Sequence, residues 1–121
     1  MARKILIIDD EPDMVEMISM RLKAFNYETI SAGNGEEGIK IANQQKPDLI
    51  LLDLMMPVMD GYETCKQLKE DDKTKKIPII ILTAVGKADS VSRSMEIGAV
   101  DYISKPFEPK TLMEKIRKVL K

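Results

Sequence analysis

Three acids are placed to do chemistry together. Asp9 and Asp10 close the apolar run Ile5-Leu6-Ile7-Ile8, and Asp53 closes a second run, Leu49-Ile50-Leu51-Leu52. If those runs are neighbouring parallel strands, three carboxylates converge at one end of a sheet. Carboxylates that close repel, so one must hold a proton or a cation must sit among them. Hard oxygen donors with open water positions suit Mg2+, and a backbone carbonyl just after Asp53 could complete the set. Two adjacent acids after a strand also suit a helix start, where the dipole favours them. Asp53 at the neighbouring strand end tips the balance toward a site. Asp53 could serve as a ligand only, yet a carboxylate beside a divalent cation is also a competent nucleophile toward phosphorus. The metal would neutralise the phosphoryl oxygens that three acids otherwise repel.

Short apolar runs alternate with helical patterns along the chain, which predicts an α/β fold around a parallel sheet. Strand 1 is expected over Lys4 to Asp9. Pro12 suits the first turn of helix 1, because its missing donor costs nothing there. That helix carries Met14, Met17, Ile18, Leu22 and Phe25 at three-to-four spacing, and most of its methionines are expected in the core. Strand 2 is Tyr27 to Ser31. Gly33-Asn34-Gly35 is a turn with Asn34 as helix cap, and helix 2 runs to about Gln45, where Pro47 stops it. Strand 3 is Asp48 to Asp53. Helix 3 presents Tyr62, Cys65 and Leu68 on one face, and Glu70 to Lys76 is a charged loop. Strand 4 is Ile77 to Thr83, helix 4 runs from Ala88 to Ile97 with Gly98 as terminator, and strand 5 is Val100 to Ser104. Helix 5 starts near Pro109 and carries Leu112, Ile116, Val119 and Leu120.

Strands 1, 3 and 4 are continuously apolar, as strands covered on both faces should be, whereas strands 2 and 5 are mixed, as edges usually are. The order 2-1-3-4-5 satisfies this with right-handed crossovers. The order reverses between strands 1 and 3, so their carboxyl ends open a crevice. Asp9, Asp10 and Asp53 lie there, with Thr83 ending strand 4 beside them and Lys105 following strand 5. A threonine ending a strand is usually a cap, and a lone lysine is usually a solvated charge; their meeting at one crevice is the specific signal. Lys105 precedes Pro106, so the bond between them is a candidate for the cis form.

Composition narrows the function. With 121 residues the chain is expected to be one domain over 1–121. Nineteen basic and 20 acidic residues leave a net charge of -1, which gives no pull toward nucleic acid or anionic membrane. No apolar run approaches the roughly 18 residues of a membrane span. The single cysteine, Cys65, fits a reducing cytoplasm. There is no histidine, so any imidazole in the mechanism must come from another molecule.

Taken together, these residues resemble a response-regulator receiver domain over essentially the full length. The matching pieces are Asp9-Asp10 after strand 1, Asp53-Leu54-Met55-Met56-Pro57-Val58-Met59-Asp60-Gly61 after strand 3, Thr83-Ala84 after strand 4 and Lys105-Pro106-Phe107 after strand 5. The resemblance implies a flavodoxin-like, five-stranded doubly wound parallel sheet with helices on both faces. It makes Asp53 the phosphoacceptor. It makes Asp10 and Asp53 direct Mg2+ ligands, Asp9 a ligand mainly through water, and the Met55 carbonyl the backbone ligand. Thr83 resembles the switch hydroxyl that grasps the phosphoryl group, Lys105 the lysine that pairs with Asp53 or its phosphoryl oxygen, and Tyr102 the aromatic switch residue.

The same resemblance implies a two-component phosphorelay. The donor is a phosphohistidine on a sensor histidine kinase or a histidine phosphotransfer protein, docking on helix 1 and the acid pocket. The face of helix 4, strand 5 and helix 5 reports the switch to a downstream protein. The chain is then no enzyme toward other substrates; it assists its own phosphorylation and slow autodephosphorylation. Met55 and Val85 flank the site and offer no group to position a water, so no rapid loss of phosphate is expected. A cytoplasmic, free-standing switch is the leading expectation, and a receiver piece of a longer regulator is its close alternative. A Mg2+-dependent aspartyl-phosphate phosphatase would want a second acid two residues after Asp53, where Met55 stands. A flavin- or nucleotide-binding module needs a donor-rich loop after strand 1, and Asp9-Asp10-Glu11 has the wrong charge.

Overall fold

Covered on both faces, strands β1 (Lys4–Ile8), β3 (Leu49–Asp53) and β4 (Ile79–Ala84) bury nearly every side chain. The computed structural model describes residues 2–54, 56, 59–84 and 88–120. Strands β2 (Glu28–Ala32) and β5 (Asp101–Lys105) form the edges and mix exposed with buried and half-buried positions. The parallel sheet runs β2-β1-β3-β4-β5, as the strand compositions predict. Among the described residues, five helices complete the order: α1 (Pro12–Ala24), α2 (Gly35–Gln45), α3 (Gly61–Glu70), α4 (Ala88–Glu96) and α5 (Pro109–Val119).

Two apolar layers sandwich the sheet. On one face Leu6, Ile8, Ile50, Leu52, Ile79 and Ile81 pack with Ala42 of α2 and Cys65 and Leu68 of α3. On the other, Ile5, Ile7, Leu49, Leu51, Ile80 and Leu82 pack with Ile18 and Leu22 of α1 and Leu112 and Ile116 of α5. The period-two alternation of each strand feeds both layers.

Strand ends shift by one or two residues from expectation. β4 starts at Ile79 because Ile77 donates to the Thr74 carbonyl and closes the preceding turn, while Pro78 has no N–H to give the ladder. Asn34 caps α2 by accepting from Glu37 N at 2.8 Å, and Gly98 ends α4 with φ of +123°. The Lys105–Pro106 bond is cis. Helix α1 departs more. Of its expected apolar stripe, Ile18 and Leu22 are buried and Met14 is half-buried, but Met17 is 40% exposed; Met20, among the methionines expected mostly in the core, is 66% exposed. Phe25 lies past the helix end, half open beneath Arg117 of α5. The stripe that packs is therefore narrower than the spacing of large apolar residues suggests. Among the described residues, no helix is long and apolar enough to cross a membrane.

Burial pushes the Cys65 thiol from its ordinary value of 9.0 up to about 11, against the opposing charge of Lys69. Between those values the unfolded chain has released a proton that the native thiol keeps. Stability must then fall as pH rises through this window. Urea unfolding at pH 8.5 and at pH 10.5 should show wild type losing more stability over the interval than Cys65→Ala. Equal losses would remove the thiol as a cause.

Candidate functional site

β1 and β3 are neighbours in register, with Ile8 beside Leu52, so the residues that follow them emerge side by side. Asp9, Asp10 and Asp53 each offer a carboxylate oxygen, and these oxygens lie within 4.8 Å of one another. Asp9 and Asp53 are buried and Asp10 is exposed. The Asp9 amide still donates to the Ala32 carbonyl at 3.1 Å, and the Glu11 amide donates to Asp9 Oδ1 at 2.9 Å. The β1–α1 turn is thereby tied to the acid it presents.

Lys105 arrives from the end of β5. Its ammonium stands 3.0 Å from Asp9 Oδ2, 3.3 Å from Glu11 Oε1 and 3.6 Å from Asp53 Oδ1. Burial alone would lower the lysine's pKa. The hydrogen bond to Asp9 and the charges of Asp53 and Asp9 outweigh it, and the net direction is upward. Lys105 is thus the protonated counter-ion of this pocket. An open cleft of about 300 Å³ runs from Asp9 and Asp10 along Pro12, Val15 and Ala32, giving a path to the acids.

The backbone beneath Asp53 is held by close packing. The Leu54 amide donates to the Leu82 carbonyl at 3.2 Å, and Gly61 N to the Leu54 carbonyl at 3.0 Å. Asp60, unremarked as a cap in the sequence, accepts from Glu63 N at 2.8 Å and starts α3. A methyl group at Gly61 would fall inside the backbone of Asp53 and Leu54. Glycine at this position lets α3 begin directly against the strand end that carries Asp53.

Thr83 is buried at the end of β4, and its hydroxyl donates to the Ala84 carbonyl at 3.3 Å. Its register partner on β5 is Ser104, while Ile81 pairs with Tyr102. Thr83 and Tyr102 therefore belong to the same face of the sheet. Tyr102 is 42% exposed, with the Lys115 ammonium 4.9 Å from its ring centroid. Met55 and Val85, together with Pro57 and Val58 of the matching loop, lie outside the described residues.

The donor set fits a divalent cation. It offers hard carboxylate oxygens, two of them buried, around a point that already needs positive charge. Glu11 escaped the sequence reading. Its signal was present, since an acid between Asp10 and Pro12 sits at a helix start, but nothing local links it to a lysine 94 residues away.

The model of the response regulator receiver domain family matches residues 5–117. The chain is 44% identical over 119 residues to the phosphate regulon transcriptional regulatory protein PhoB of Pseudomonas aeruginosa, covering 98% of this chain and 52% of that one. It spans about half the length of the curated relatives it matches. Among solved structures, chemotaxis protein CheY4 of Vibrio cholerae superposes with a TM-score of 0.92 at 31% identity, covering 98% of this chain and 99% of that one. A second is the receiver domain of sensor histidine kinase PA1611 from Pseudomonas aeruginosa PAO1, solved with a magnesium ion coordinated in its active site cleft. It superposes with a TM-score of 0.90 at 27% identity, covering 99% of this chain and 98% of that one.

Gly61→Ala should lower stability by about 1–3 kcal/mol, the range for forcing extra atoms into a packed site. Amide resonances of Asp53 and Leu54 should move with it. A variant as stable as wild type with unshifted resonances would show that α3 does not press on the Asp53 strand end.

Proposed function

This chain belongs to the response regulator receiver domain family, and from that membership we propose that residues 1–121 act as one receiver, a switch set by phosphorylation of Asp53. The observation that carries the reading is the meeting of Asp9, Asp10 and Asp53 with the Lys105 ammonium at one end of the sheet. An Asp53 carboxylate oxygen attacks the phosphorus of a partner's phosphohistidine. The phosphorus–nitrogen bond breaks and the freed imidazole takes up a proton. The chain itself has no histidine, so the donor is another protein: a sensor histidine kinase or a histidine phosphotransfer protein. The cleft beside α1 supports docking on that side.

When bound, Mg2+ would be held by Asp10 and Asp53, by Asp9 through water and by the Met55 carbonyl, and would neutralise charge on the phosphoryl oxygens. Lys105 pairs with one of those oxygens after transfer. The Thr83 hydroxyl leaves the Ala84 carbonyl for another, and Tyr102, on the same face of the sheet, follows it inward. Phosphorylation thus biases a two-state equilibrium whose readout is the α4–β5–α5 face. The chain is a phosphoacceptor that slowly releases its own phosphate, not an enzyme acting on other substrates, and it works in the cytoplasm. Its downstream target is a protein surface, separate or in the same polypeptide; the similarity to transcriptional regulators supports a link to gene control. The receiver itself makes no direct contact with nucleic acid.

Incubation with Mg2+ and acetyl phosphate should add one phosphoryl group by mass. The adduct should be absent in Asp53→Asn and without Mg2+. Modification persisting in Asp53→Asn would move the acceptor elsewhere, and multiple turnover of a phosphate ester would make the protein a phosphatase.

Met55 and Val85 are apolar, and neither offers an amide or acid to position a hydrolytic water. Decay of the phosphorylated protein should take minutes or longer, and Met55→Asn and Val85→Glu should change it. A wild-type lifetime of seconds would contradict this role for the two positions.

A further inference from the structure

Resting on the reading of Asp53 as a Mg2+-dependent phosphoacceptor, we propose that Glu11 is a positioning residue that receives the Lys105 ammonium when a divalent cation enters the acid pocket. Lys105 contacts two of the three carboxylates that would hold the cation, at 3.0 Å from Asp9 and 3.6 Å from Asp53. Two cations cannot share those oxygens without repulsion, so the ammonium must give ground. Its third partner, Glu11, stands outside the acid cluster at 3.3 Å and is 61% exposed.

Glu11 is also free of the task its position suggests. It is the N-cap of α1, yet its side chain makes no capping hydrogen bond. Its carboxylate goes to Lys105 instead, while its amide is held by Asp9 and Pro12 follows at the first turn. The backbone of Glu11 is therefore fixed and its side chain aimed at the lysine.

The coupling arises from sharing. Without the metal, Glu11 is one of three acceptors dividing the ammonium. Once the cation draws on Asp53 directly and on Asp9 through water, those oxygens hold the ammonium less, Glu11 takes a larger share of it, and the pair is stronger in that state. An interaction that strengthens on binding favours binding. The ammonium also stays beside Asp53, ready for a phosphoryl oxygen.

Calorimetric titration of Mg2+ into wild type, Glu11→Gln, Glu11→Asp, Lys105→Gln and the two double variants tests this. Glu11→Gln should weaken Mg2+ affinity by roughly threefold to fivefold, the size of an exposed ion pair. Glu11→Asp keeps the charge but shortens the reach, and should weaken it similarly. Both effects should vanish with Lys105→Gln. If Glu11→Asp matches wild type, or if the loss persists without Lys105, Glu11 acts only as a general charge and the proposal falls. Failure of the underlying reading looks different: Mg2+ binding would then survive Asp53→Asn and Asp10→Asn unchanged, whatever the Glu11 variants do.

Discussion

One ion pair governs the carboxyl end of this sheet: the Lys105 ammonium against the buried carboxylate of Asp9. The Asp9 side chain has no solvent exposure, and a buried charge stripped of its partner costs about 3–5 kcal/mol. Set against the ~5–15 kcal/mol that holds a typical domain folded, that is a large share. The pocket is therefore costly to assemble without positive charge inside it. Lys105 supplies that charge from the far edge of the sheet, 96 residues away in sequence. The same need for a cation makes the pocket a suitable seat for a divalent ion. The stabilising pair and the proposed chemistry compete for the same oxygens.

The topology is what brings those groups within reach. β1 sits between β2 and β3, so the chain reverses its direction of growth across the sheet and leaves a crevice at the carboxyl ends of β1 and β3. The helices on that face must then start close to the strand ends without covering the acids. Small residues make this possible. Besides Gly61 under Asp53, Gly38 of α2 lies against the Ile8 side chain, and Gly35 lies against Thr64 of α3. Thr64 in turn donates to the Asp60 carbonyl at 2.9 Å. The acid edge rests on close glycine packing, against backbone at Gly61 and against side chains at Gly35 and Gly38.

Most of this architecture could be read in the residues. Continuous apolar runs marked β1, β3 and β4, because a strand covered on both faces buries apolar side chains along most of its length. Mixed runs marked the edges. The three acids were legible because each follows a buried strand directly. Helix α1 was less so. Periodicity counts apolar residues but does not say how wide a stripe the neighbours cover, and Met17 and Met20 fall outside it. Phe25 was misjudged for a related reason: it continues the spacing by number, but the helix has already ended at Ala24. Glu11 was missed because its partner is remote. Local pattern reading finds caps and stripes, whereas an ion pair between the β1–α1 turn and the end of β5 exists only once the sheet has closed.

Strand β5 connects the pocket to the outer surface. Lys105 at its end enters the acid pocket, and Tyr102 three residues earlier sits on the outer edge. Lys115 of α5 braces the intervening backbone, donating to the Tyr102 carbonyl at 2.6 Å and to Asp101 Oδ1 at 3.0 Å while lying over the Tyr102 ring. Tyr102 is thus held by its carbonyl and its ring to α5, and through the strand to Lys105. A change in how Lys105 is shared among Asp9, Glu11 and Asp53 acts on the same five-residue strand that α5 grips from outside. An edge strand suits this task, since it is bonded to one neighbour only and its outer side is free to repack. A central strand such as β3, buried along its whole length, could not shift without disturbing both apolar layers.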